Sequence, residues 1–474
     1  MGVAYDAIQS YDIRNLITFA AILSFVLHPL AKYPGPFLGR CTNLYAAYKA
    51  WRGTLHIDIY ECHLKYEIHS HGANNLKSVV YQVLVHGAPN TLTIRRKEEH
   101  TWRRRILSLA LSDAKVTSYQ DILSKHIATL CKNLERSSRS CDYFFFDVMS
   151  EVIFGMKYNA QNEPTYQHVT RSLADSNVRI SALVQAAVLK FGRLDKILFR
   201  SSIKGRNRFL AFISSLLRDR TKGALTASGN VFSFLEKAED PDTRKALNGS
   251  QIRAECATMV VAGSDTSSST LAATLFYLSV NQQPYERVCQ EIRDKFAHSR
   301  DICLGPQLSS CTYLRACIDE ALRMSPPVGG ALWREIMPGG MVIDSIPLPA
   351  GIDVGTGIYS LHHNHRYHLD PFKYMPERWL VGEAGSTEES VQTSRSAFVP
   401  FSMGPRSCVG KGFAYHELML SLAHIIHRFD FYNLRRAQSN NSSSTDSEGR
   451  DEFLLQDHVT GAKKELYLSF NPRY

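Results

Sequence analysis

The sequence contains the stretch Phe401-Ser-Met-Gly-Pro-Arg-Ser-Cys-Val-Gly410, which places a single cysteine, Cys408, in a loop between Gly404 and Gly410. An apolar helical pattern follows at once, and its predicted buried face consists of Ala414, Leu418, Leu422, Ile425 and Ile426. Cys408 is therefore expected at the start of a helix, where free backbone N–H groups and the helix dipole favour a thiolate. The alternative for a lone cysteine in a turn is a buried apolar side chain.

Five positions of this stretch carry the argument: Phe401, Gly404, Arg406, Cys408 and Gly410. A thiolate suits haem iron, and a guanidinium two residues before it can pair with a haem propionate. The pattern F-x-x-G-x-R-x-C-x-G resembles the haem-binding loop of the cytochrome P450 superfamily. The two glycines are expected to let the backbone turn tightly and lie close to the flat macrocycle. The resemblance implies a b-type haem (heme b) whose iron is ligated by the Cys408 thiolate.

Long helical patterns and few strand patterns, together with this resemblance, predict a mostly α fold with small β-sheets (α+β) in a single large haem-thiolate domain. The chain has 474 residues, 44% hydrophobic and 21% charged, which is enough for a large core. Its net charge of +10 suits anionic lipid or an acidic protein partner. No zinc-finger spacing or RNA-binding aromatic motif is present, so no nucleic-acid partner is expected. The ten cysteines include no C-x-x-C pair, which fits a reducing compartment.

The predicted organisation is an N-terminal membrane anchor, residues 1–31, followed by a haem domain, residues 32–474. Leu16 to Leu27 is apolar apart from Thr18 and Ser24, which is short for a full span of roughly 20 residues. Basic residues follow the Pro-Gly-Pro36 turn, which places that side in the cytosol. By resemblance, this implies an endoplasmic reticulum membrane protein with a cytosolic catalytic domain. A buried or interfacial N-terminal helix is the alternative.

The region after Tyr66 departs from the family pattern. Residues 42–66 predict one helix, after which the family normally has a two-strand hairpin and a short helix. Here the chain continues directly into Ile68-His-Ser-His-Gly-Ala-Asn-Asn75, about 20 residues too short for that hairpin. We expect the sheet to lose strands and to expose an edge. Either the domain is remodelled here or the sequence is an imperfect gene product.

Three residues outside the cysteine loop match the propionate ligands of the family. His100 and Arg104 lie one helical turn apart on one face, and Arg334 follows the Pro326-Pro-Val-Gly-Gly segment expected along the haem edge. The alternative for Arg103, Arg104 and Arg105 is a solvated basic face. Arg103 and Arg105, which flank Arg104, are also candidates for a surface that docks the redox partner.

A long helix is predicted from Gln251 to Val280, and near its middle lies Ala262-Gly-Ser-Asp-Thr266. An acid, a hydroxyl and a glycine in an apolar helix are costly unless used or solvated. The segment resembles the family's oxygen-binding motif, A/G-G-x-D/E-T, which implies catalytic roles for Asp265 and Thr266 and a haem contact at Gly263. The alternative is a helix-packing glycine beside a solvent-facing serine cluster, Ser267–Ser269.

A further helix, Tyr313 to Met324, contains Glu320 and Arg323 at the spacing of the family's E-x-x-R motif. Arg378, in a Pro-Glu-Arg sequence, is expected to complete a buried Glu/Arg/Arg network with a structural role. Two polar, serine-rich segments, 383–396 and 438–452, are predicted to be exposed loops.

The resemblance implies a monooxygenase that inserts one oxygen atom from O2 into an apolar small molecule. No nucleotide- or flavin-binding segment is present, so the electrons are expected from NADPH through a separate cytochrome P450 reductase. The sequence style is similar to fungal members that tailor secondary metabolites. Two alternatives stay open: a reductase-independent enzyme that isomerises its substrate or rearranges a peroxide, and a degenerate haem protein without activity.

Overall fold

The structure is a computed structural model of the 474-residue chain. It describes residues 36, 38–39, 42–65, 75–85, 87–134, 140–221, 229–343, 346–434, 452–463 and 466–473. The predicted anchor, residues 1–31, the shortened region after Tyr66 and most of segment 438–452 lie outside the described residues. In the described part of the chain, no helix is both long and apolar enough to cross a membrane.

Helices make up most of the described chain, as predicted. The α-helices in chain order are Leu44–Trp51, Leu55–Lys65, Lys97–Ala110, Asp113–Ser118, Gln120–Leu134, Ser140–Phe154, Gln167–Gln185, Leu194–Leu198, Arg200–Thr221, Val231–Leu235, Gly249–Val280, Gln282–Lys295, Pro306–Ser309, Thr312–Met324, Ile358–His362, Glu388–Ala397 and Lys411–Arg428. Short 3-10 helices are Val79–Leu84, Pro164–Tyr166, Ala187–Arg193, Ser299–Asp301, Pro376–Trp379 and Gly404–Arg406.

The strands are short and form small antiparallel sheets. A three-stranded sheet has the order Asn75–Lys77, Arg334–Ile336, Asp353–Val354, with Lys77 opposite Arg334. Three two-stranded sheets pair Met341–Ile343 with Ile346–Leu348, Phe429–Asn433 with Leu468–Pro472, and Leu455–His458 with Thr460–Lys463. The last of these is called the C-terminal hairpin below. Among the described residues, strand Asn75–Lys77 is an edge of its sheet, and the expected loss of strands after Tyr66 stays a prediction.

The core is built around helix Gly249–Val280, called the long helix below. It begins with a capping box in which the Asn248 side chain accepts from Gln251 N at 3.0 Å and Gln251 accepts from Asn248 N at 2.9 Å. Its second half is buried on all sides, because helices Ser140–Phe154, Thr312–Met324 and Lys411–Arg428 pack around it. The prediction of one long helix is confirmed.

A buried ionic network connects helix Thr312–Met324 to turn Pro376–Trp379. Glu320 accepts from Arg323 Nη2 at 2.9 Å, Arg378 Nε at 3.2 Å and Trp379 Nε1 at 3.0 Å. Burial raises the pKa of Glu320, but the two arginines outweigh that effect and the net pKa is lowered. The structure has the predicted Glu/Arg/Arg network. Its role is structural, because its bonds join helix Thr312–Met324 to turn Pro376–Trp379.

Two predictions about local structure are wrong. Residues 42–66 do not form one helix, because Gly53 interrupts the pattern with a φ of +71°. A Cβ at Gly53 would lie 2.8 Å from Gln456 Cβ, so the break lets the C-terminal hairpin approach. The polar segment 383–396 contains helix Glu388–Ala397, which begins at a Thr387 cap and buries Val391 and Ala397. Its low apolar content concealed this narrow buried face.

Candidate active site

The cysteine loop, Phe401–Gly410, is a rigid turn that precedes helix Lys411–Arg428. Cys408 N donates to Phe401 O at 2.8 Å, which closes the loop. Gly404 has a φ of +68° and therefore needs glycine, whereas Gly410 has an ordinary φ of −87°. The Phe401 ring packs on Tyr415, with centroids 5.1 Å apart. The loop thus holds the Cys408 side chain in a solvent-exposed position.

The thiol of Cys408 experiences opposing influences. Although the residue as a whole is solvent-exposed, the protein atoms packed around the sulfur raise the pKa of the Cys408 thiol, while a hydrogen bond from the Gly410 backbone and the charges of Arg104 and Lys411 lower it. The net direction in the protein alone is upward. The expectation that the helix start would favour the thiolate is therefore only partly met, because the surrounding protein desolvates the sulfur.

Lysine, arginine and histidine side chains from four separate segments converge at the cysteine loop. We call them the basic cluster: Lys77, His100, Arg104, Arg334 and Arg406. The side-chain bonds that the structure shows for its lysine and arginines go mainly to backbone carbonyls. Lys77 donates to Leu92 O, Arg104 to Ser407 O, Arg334 to Leu332 O and Trp333 O, and Arg406 to Ile94 O and Arg95 O. In the described part of the chain no ion pair links any of the cluster to a carboxylate. The cluster is therefore an uncompensated positive site suited to an anion.

The protonation behaviour of the cluster reflects this crowding. Burial, followed by the charges of Arg406, Lys77 and Arg104, lowers the pKa of His100 to about 3. Burial and the nearby arginines lower the pKa of Arg406 to about 10. His100 is therefore neutral at physiological pH, and the arginines carry the positive charge.

Lys77 is a member of the cluster that sequence reasoning missed. It is 6% exposed, and burial together with Arg334, Arg406 and Arg104 lowers its pKa to about 7. A buried lysine is rare unless it is paired, so its position beside the three arginines indicates a shared anionic ligand. The sequence signal for it was weak, a lysine beside the apolar Leu76. Pairing of strand Asn75–Lys77 with strand Arg334–Ile336 places this lysine in the buried cluster.

The middle of the long helix presents two faces. Thr266 Oγ1 donates back to Ala262 O, one turn earlier in the helix, at 2.7 Å, on the side where Ala262 is exposed. Gly263 faces helix Ser140–Phe154 instead, because a Cβ there would lie 2.5 Å from Met149 Cε. Packing against Met149 therefore accounts for the glycine, and a haem contact at Gly263 stays a prediction.

The serine cluster after Thr266 is buried, which contradicts the solvent-facing alternative. Ser267 donates to Glu417, Ser268 to Asp142 at 2.9 Å, and Ser269 to Gly461 O at 3.1 Å. These hydroxyls connect the long helix to helix Lys411–Arg428, helix Ser140–Phe154 and the C-terminal hairpin. Sequence reasoning missed this role, since the bonding partners lie more than 100 residues away.

Asp265 turns toward the same hairpin. Its Oδ2 accepts a hydrogen bond from Thr460, and Lys463 and Asp142 lie close enough to affect its pKa. Burial raises the pKa of Asp265 and the Thr460 hydroxyl and Lys463 charge lower it, with a net rise. The two predicted catalytic residues are thus adjacent in the helix but directed to different surroundings.

The neighbouring arginines of helix Lys97–Ala110 form ion pairs within the protein. Arg103 is buried and bonds Glu99 and Pro89 O at 2.6 and 2.9 Å. Arg105 forms a bidentate pair with Asp240 at 2.7 and 2.8 Å. Both were candidates for a docking surface, and the structure uses them internally.

An exposed cysteine beside an uncompensated basic cluster suits a ligand of the haem-thiolate class, and the long helix, which packs against the helix after the cysteine loop, carries an acid and a hydroxyl. The Cytochrome P450 family model matches residues 45–455. The chain belongs to the cytochrome P450 family.

Relatives and a solved structure agree with this assignment. The cytochrome P450 monooxygenase apf8 of Gibberella fujikuroi is 60% identical over 367 residues, covering 75% of this chain and 100% of that protein. The cytochrome P450 monooxygenase poxM of Penicillium oxalicum is 43% identical, covering 95% of this chain and 91% of that protein. The solved haem domain of cytochrome P450DA has a TM-score of 0.67 at 19% identity and covers 84% of each chain, which supports the fold. The chain is an enzyme of the monooxygenase class.

Proposed function

We propose that the chain binds heme b through Cys408 and the basic cluster, and inserts one oxygen atom from O2 into an apolar small molecule. The observation that carries this proposal is the convergence of Lys77, Arg104, Arg334 and Arg406, without a bonded carboxylate in the described residues, on the side of the exposed thiol. A flat ligand with two carboxylates and a metal that accepts sulfur satisfies both features.

The cysteine loop and the cluster divide the work of holding the cofactor. Cys408 supplies the sulfur ligand, and Gly404 allows the turn that presents it. Phe401 accepts the bond from Cys408 N that closes the loop and packs its ring on Tyr415, and Gly410 precedes the helix. When bound, a thiolate-ligated haem would supply cleavage of the O–O bond, because the thiolate donates electron density to the iron.

We expect the long helix to supply protons through Thr266 and Asp265. Thr266 Oγ1 donates its hydroxyl proton to Ala262 O, from which it could turn to donate a hydrogen bond into the cofactor site. Burial raises the pKa of Asp265, and we expect its carboxyl group to exchange protons on the side of the C-terminal hairpin. Thr266→Ala is expected to bind substrate normally and release more hydrogen peroxide per NADPH, and unchanged coupling would remove the role assigned to Thr266.

The electrons come from NADPH through a separate reductase. Because Arg103 and Arg105 are paired internally, the surface cations left near the cysteine loop are Arg96, Lys97 and Lys411, all exposed. An acidic partner suits that surface. A reductase titration that does not respond to ionic strength would argue against this docking mode.

Membrane association is supported by an exposed apolar face on segment 187–198. We call the following residues the apolar face: Val188, Phe191, Leu194, Ile197 and Leu198, which are 62, 82, 46, 58 and 62% exposed. Exposed Lys190, Arg193 and Lys196 lie among them. Apolar and basic side chains in one short segment suit an anionic lipid surface. This face complements the expected anchor at residues 1–31 and an endoplasmic reticulum location with the catalytic domain in the cytosol.

The substrate class is an apolar metabolite in fungal secondary metabolism. The named relatives from Gibberella fujikuroi, Penicillium oxalicum and Emericella nidulans are fungal monooxygenases, and the last is 39% identical across 100% of this chain. The tailoring of a secondary metabolite is the proposed physiological role on that basis.

The deciding experiment is the absorbance spectrum of the dithionite-reduced protein with and without carbon monoxide. Wild-type protein is expected to show the red-shifted Soret band of a thiolate-ligated ferrous complex. Cys408→Ala is expected to lose it, and Cys303→Ala, which removes another exposed cysteine, is expected to keep it. A red-shifted band in the Cys408 variant would place the ligand elsewhere, and a wild-type protein without haem would contradict the proposal.

A further inference from the structure

The C-terminal hairpin is attached to the middle of the long helix by side chains of both elements. Thr460 donates to Asp265, Ser269 donates to Gly461 O at 3.1 Å, and Lys463 donates to Ser268 Oγ at 2.8 Å. These contacts fall within five helical positions, at the place where the acid of the oxygen-site motif lies.

The hydroxyl of Thr460 has a defined direction. Asn177 Nδ2, from the buried face of helix Gln167–Gln185, donates to Thr460 Oγ1 at 3.0 Å. Since the oxygen accepts from Asn177, its single proton is directed to Asp265. A chain of two hydrogen bonds therefore passes from helix Gln167–Gln185 through the hairpin tip to the acid.

The hairpin tip is held in a strained conformation next to this hydroxyl. Val459, which connects the paired residues His458 and Thr460, has a φ of +74°. The left-handed region is unfavourable for a β-branched residue and persists only where surrounding contacts impose it. On one side His458 Nδ1 lies 3.1 Å from Ala50 O, and on the other Gly461 N donates to Pro327 O at 2.6 Å. The backbone thus fixes where Thr460 presents its oxygen.

The charges that face Asp265 come from two further elements. Lys463, on the hairpin, bonds Asp142 of helix Ser140–Phe154, so the lysine that lowers the pKa of Asp265 is itself shared with a second acid. Thr460 is the hydroxyl that the structure shows bonded directly to the carboxyl group. Thr266, adjacent in the helix, projects about 100° away and back-bonds to Ala262.

We propose that Thr460 is a positioning residue for Asp265: its hydroxyl, oriented by Asn177, holds the carboxyl group turned toward the C-terminal hairpin. The placement of the acid, and with it proton delivery, then depends on where the hairpin and helix Gln167–Gln185 lie. This inference rests on the proposed function, in which Asp265 supplies protons.

The test uses the haem-loaded full chain as its carbon monoxide complex, with no substrate required. Infrared difference spectra on photolysis, recorded across pH, follow the carboxyl C=O band that disappears in Asp265→Asn. Thr460→Val keeps the side-chain shape and removes the donor, so the midpoint of the band is expected to rise by about one pH unit, a tenfold change in the protonation ratio. Thr460→Ser is expected to restore the wild-type midpoint.

Two further variants separate positioning from general stability. Asn177→Leu, on helix Gln167–Gln185, is expected to shift the midpoint in the same direction. If Thr460→Val does not retain haem, this variant tests whether Thr460 positions Asp265. Ser269→Ala removes a different hydroxyl from the same contact between hairpin and helix without touching Asp265, and is expected to leave the midpoint unchanged. An unshifted midpoint in Thr460→Val or Asn177→Leu, or an equal shift in Ser269→Ala, would overturn the proposal.

A second measurement distinguishes this inference from the proposed function. NADPH oxidation by the enzyme and its reductase, without added substrate, is compared in H2O and D2O. A solvent isotope effect unchanged by Asp265→Asn would contradict the proton role of Asp265. An effect altered by Asp265→Asn, together with an unshifted band in Thr460→Val, would leave that role in place and refute the positioning role alone.

Discussion

The cations around Cys408 are held by backbone carbonyls, which orient them without neutralising them. Arg406 donates to Ile94 O at 2.8 Å and Arg95 O at 2.9 Å, and Arg104 donates to the carbonyl of Ser407. Like charges at such proximity destabilise the protein alone, and an anionic ligand reverses that effect. The arrangement therefore couples retention of the cofactor to each cation.

Lys77→Met is expected to release haem faster than the wild type. The substitution keeps an apolar stem and removes one charge-assisted hydrogen bond, which is worth roughly 1.5 kcal/mol, or about tenfold in rate. Transfer of haem to excess apomyoglobin measures that rate independently of activity. Lys97→Met, at an exposed position on the next helix, is the control. Equal transfer rates for wild type and Lys77→Met would show that the lysine does not bind the ligand.

Glu417 is a buried acid whose protonation should affect stability. Burial raises its pKa to about 8, opposed by the Ser267 hydrogen bond, and its Oε2 has no hydrogen-bond partner among the described residues. Between its ordinary value near 4.5 and about 8, the folded state retains a proton that the unfolded state has lost. The free energy of unfolding therefore falls as pH rises through this window.

Glu417→Gln is expected to remove this decline. The amide stays neutral and keeps an acceptor for Ser267, so the variant gains on the wild type by about 3 kcal/mol between pH 5 and pH 8. Urea denaturation followed by tryptophan fluorescence at several pH values measures the difference. Glu389→Gln, at an exposed helix position, should change nothing. Parallel pH profiles for wild type and Glu417→Gln would mean that Glu417 is ionised throughout.

At the scale of elements, polar side chains connect helices that apolar packing alone would leave free to slide. The buried Glu320 joins helix Thr312–Met324 to turn Pro376–Trp379, and the serines of the long helix join three neighbours. Each bond is directional and satisfies a buried group, so the register between elements is specified together with their contact. The cysteine loop depends on that register.

Glu320→Gln is expected to lower the unfolding free energy by roughly 3–5 kcal/mol, because two buried arginines lose their anionic partner. Haem content after purification and the thermal midpoint report the loss. Glu239→Gln breaks an exposed pair with Arg244, whose atoms lie 3.1 Å apart, and should cost under about 0.5 kcal/mol. Similar losses of unfolding free energy in Glu320→Gln and Glu239→Gln would contradict a structural role for the network.

At the scale of the whole molecule, the proposed membrane contact through the apolar face on segment 187–198 would orient the domain on a lipid surface. Because helix Gln167–Gln185 contacts this segment, the C-terminal hairpin and helix Leu44–Trp51, a membrane contact would lie next to the elements that position Asn177. The proposed membrane contact and the proposed control of Asp265 thus share one helix.

Peptides covering residues 187–198 are expected to be protected from hydrogen exchange when the full chain binds anionic lipid nanodiscs. Phe191→Ser should reduce that protection about thirtyfold, since burial of a phenylalanine contributes about 2 kcal/mol. Leu369→Ser changes another exposed apolar residue on a different segment and is the control. Equal protection in wild type and Phe191→Ser would place the lipid contact elsewhere.

Much of the scaffold and the site was predictable because local patterns carry it. The long helix was predicted within two residues of its start, and His100, Arg104, Arg334 and Arg406 were each identified from a motif. Lys77 was missed, since its inward position depends on strand pairing across more than 250 residues. Helix Glu388–Ala397 was missed because its buried face is narrow.

The sequence by itself determined the cysteine loop, the long helix, the E-x-x-R pair and the family, because each is encoded in the spacing of residues within short segments. Tertiary structure alone decided that Gly263 packs on Met149, that Ser267–Ser269 are buried, and that Thr460 meets Asp265. Those outcomes depend on which distant segment fills the space beside each side chain. Local periodicity determines which face of a helix is buried, but the identity of the atoms that cover it is set only when the whole chain packs.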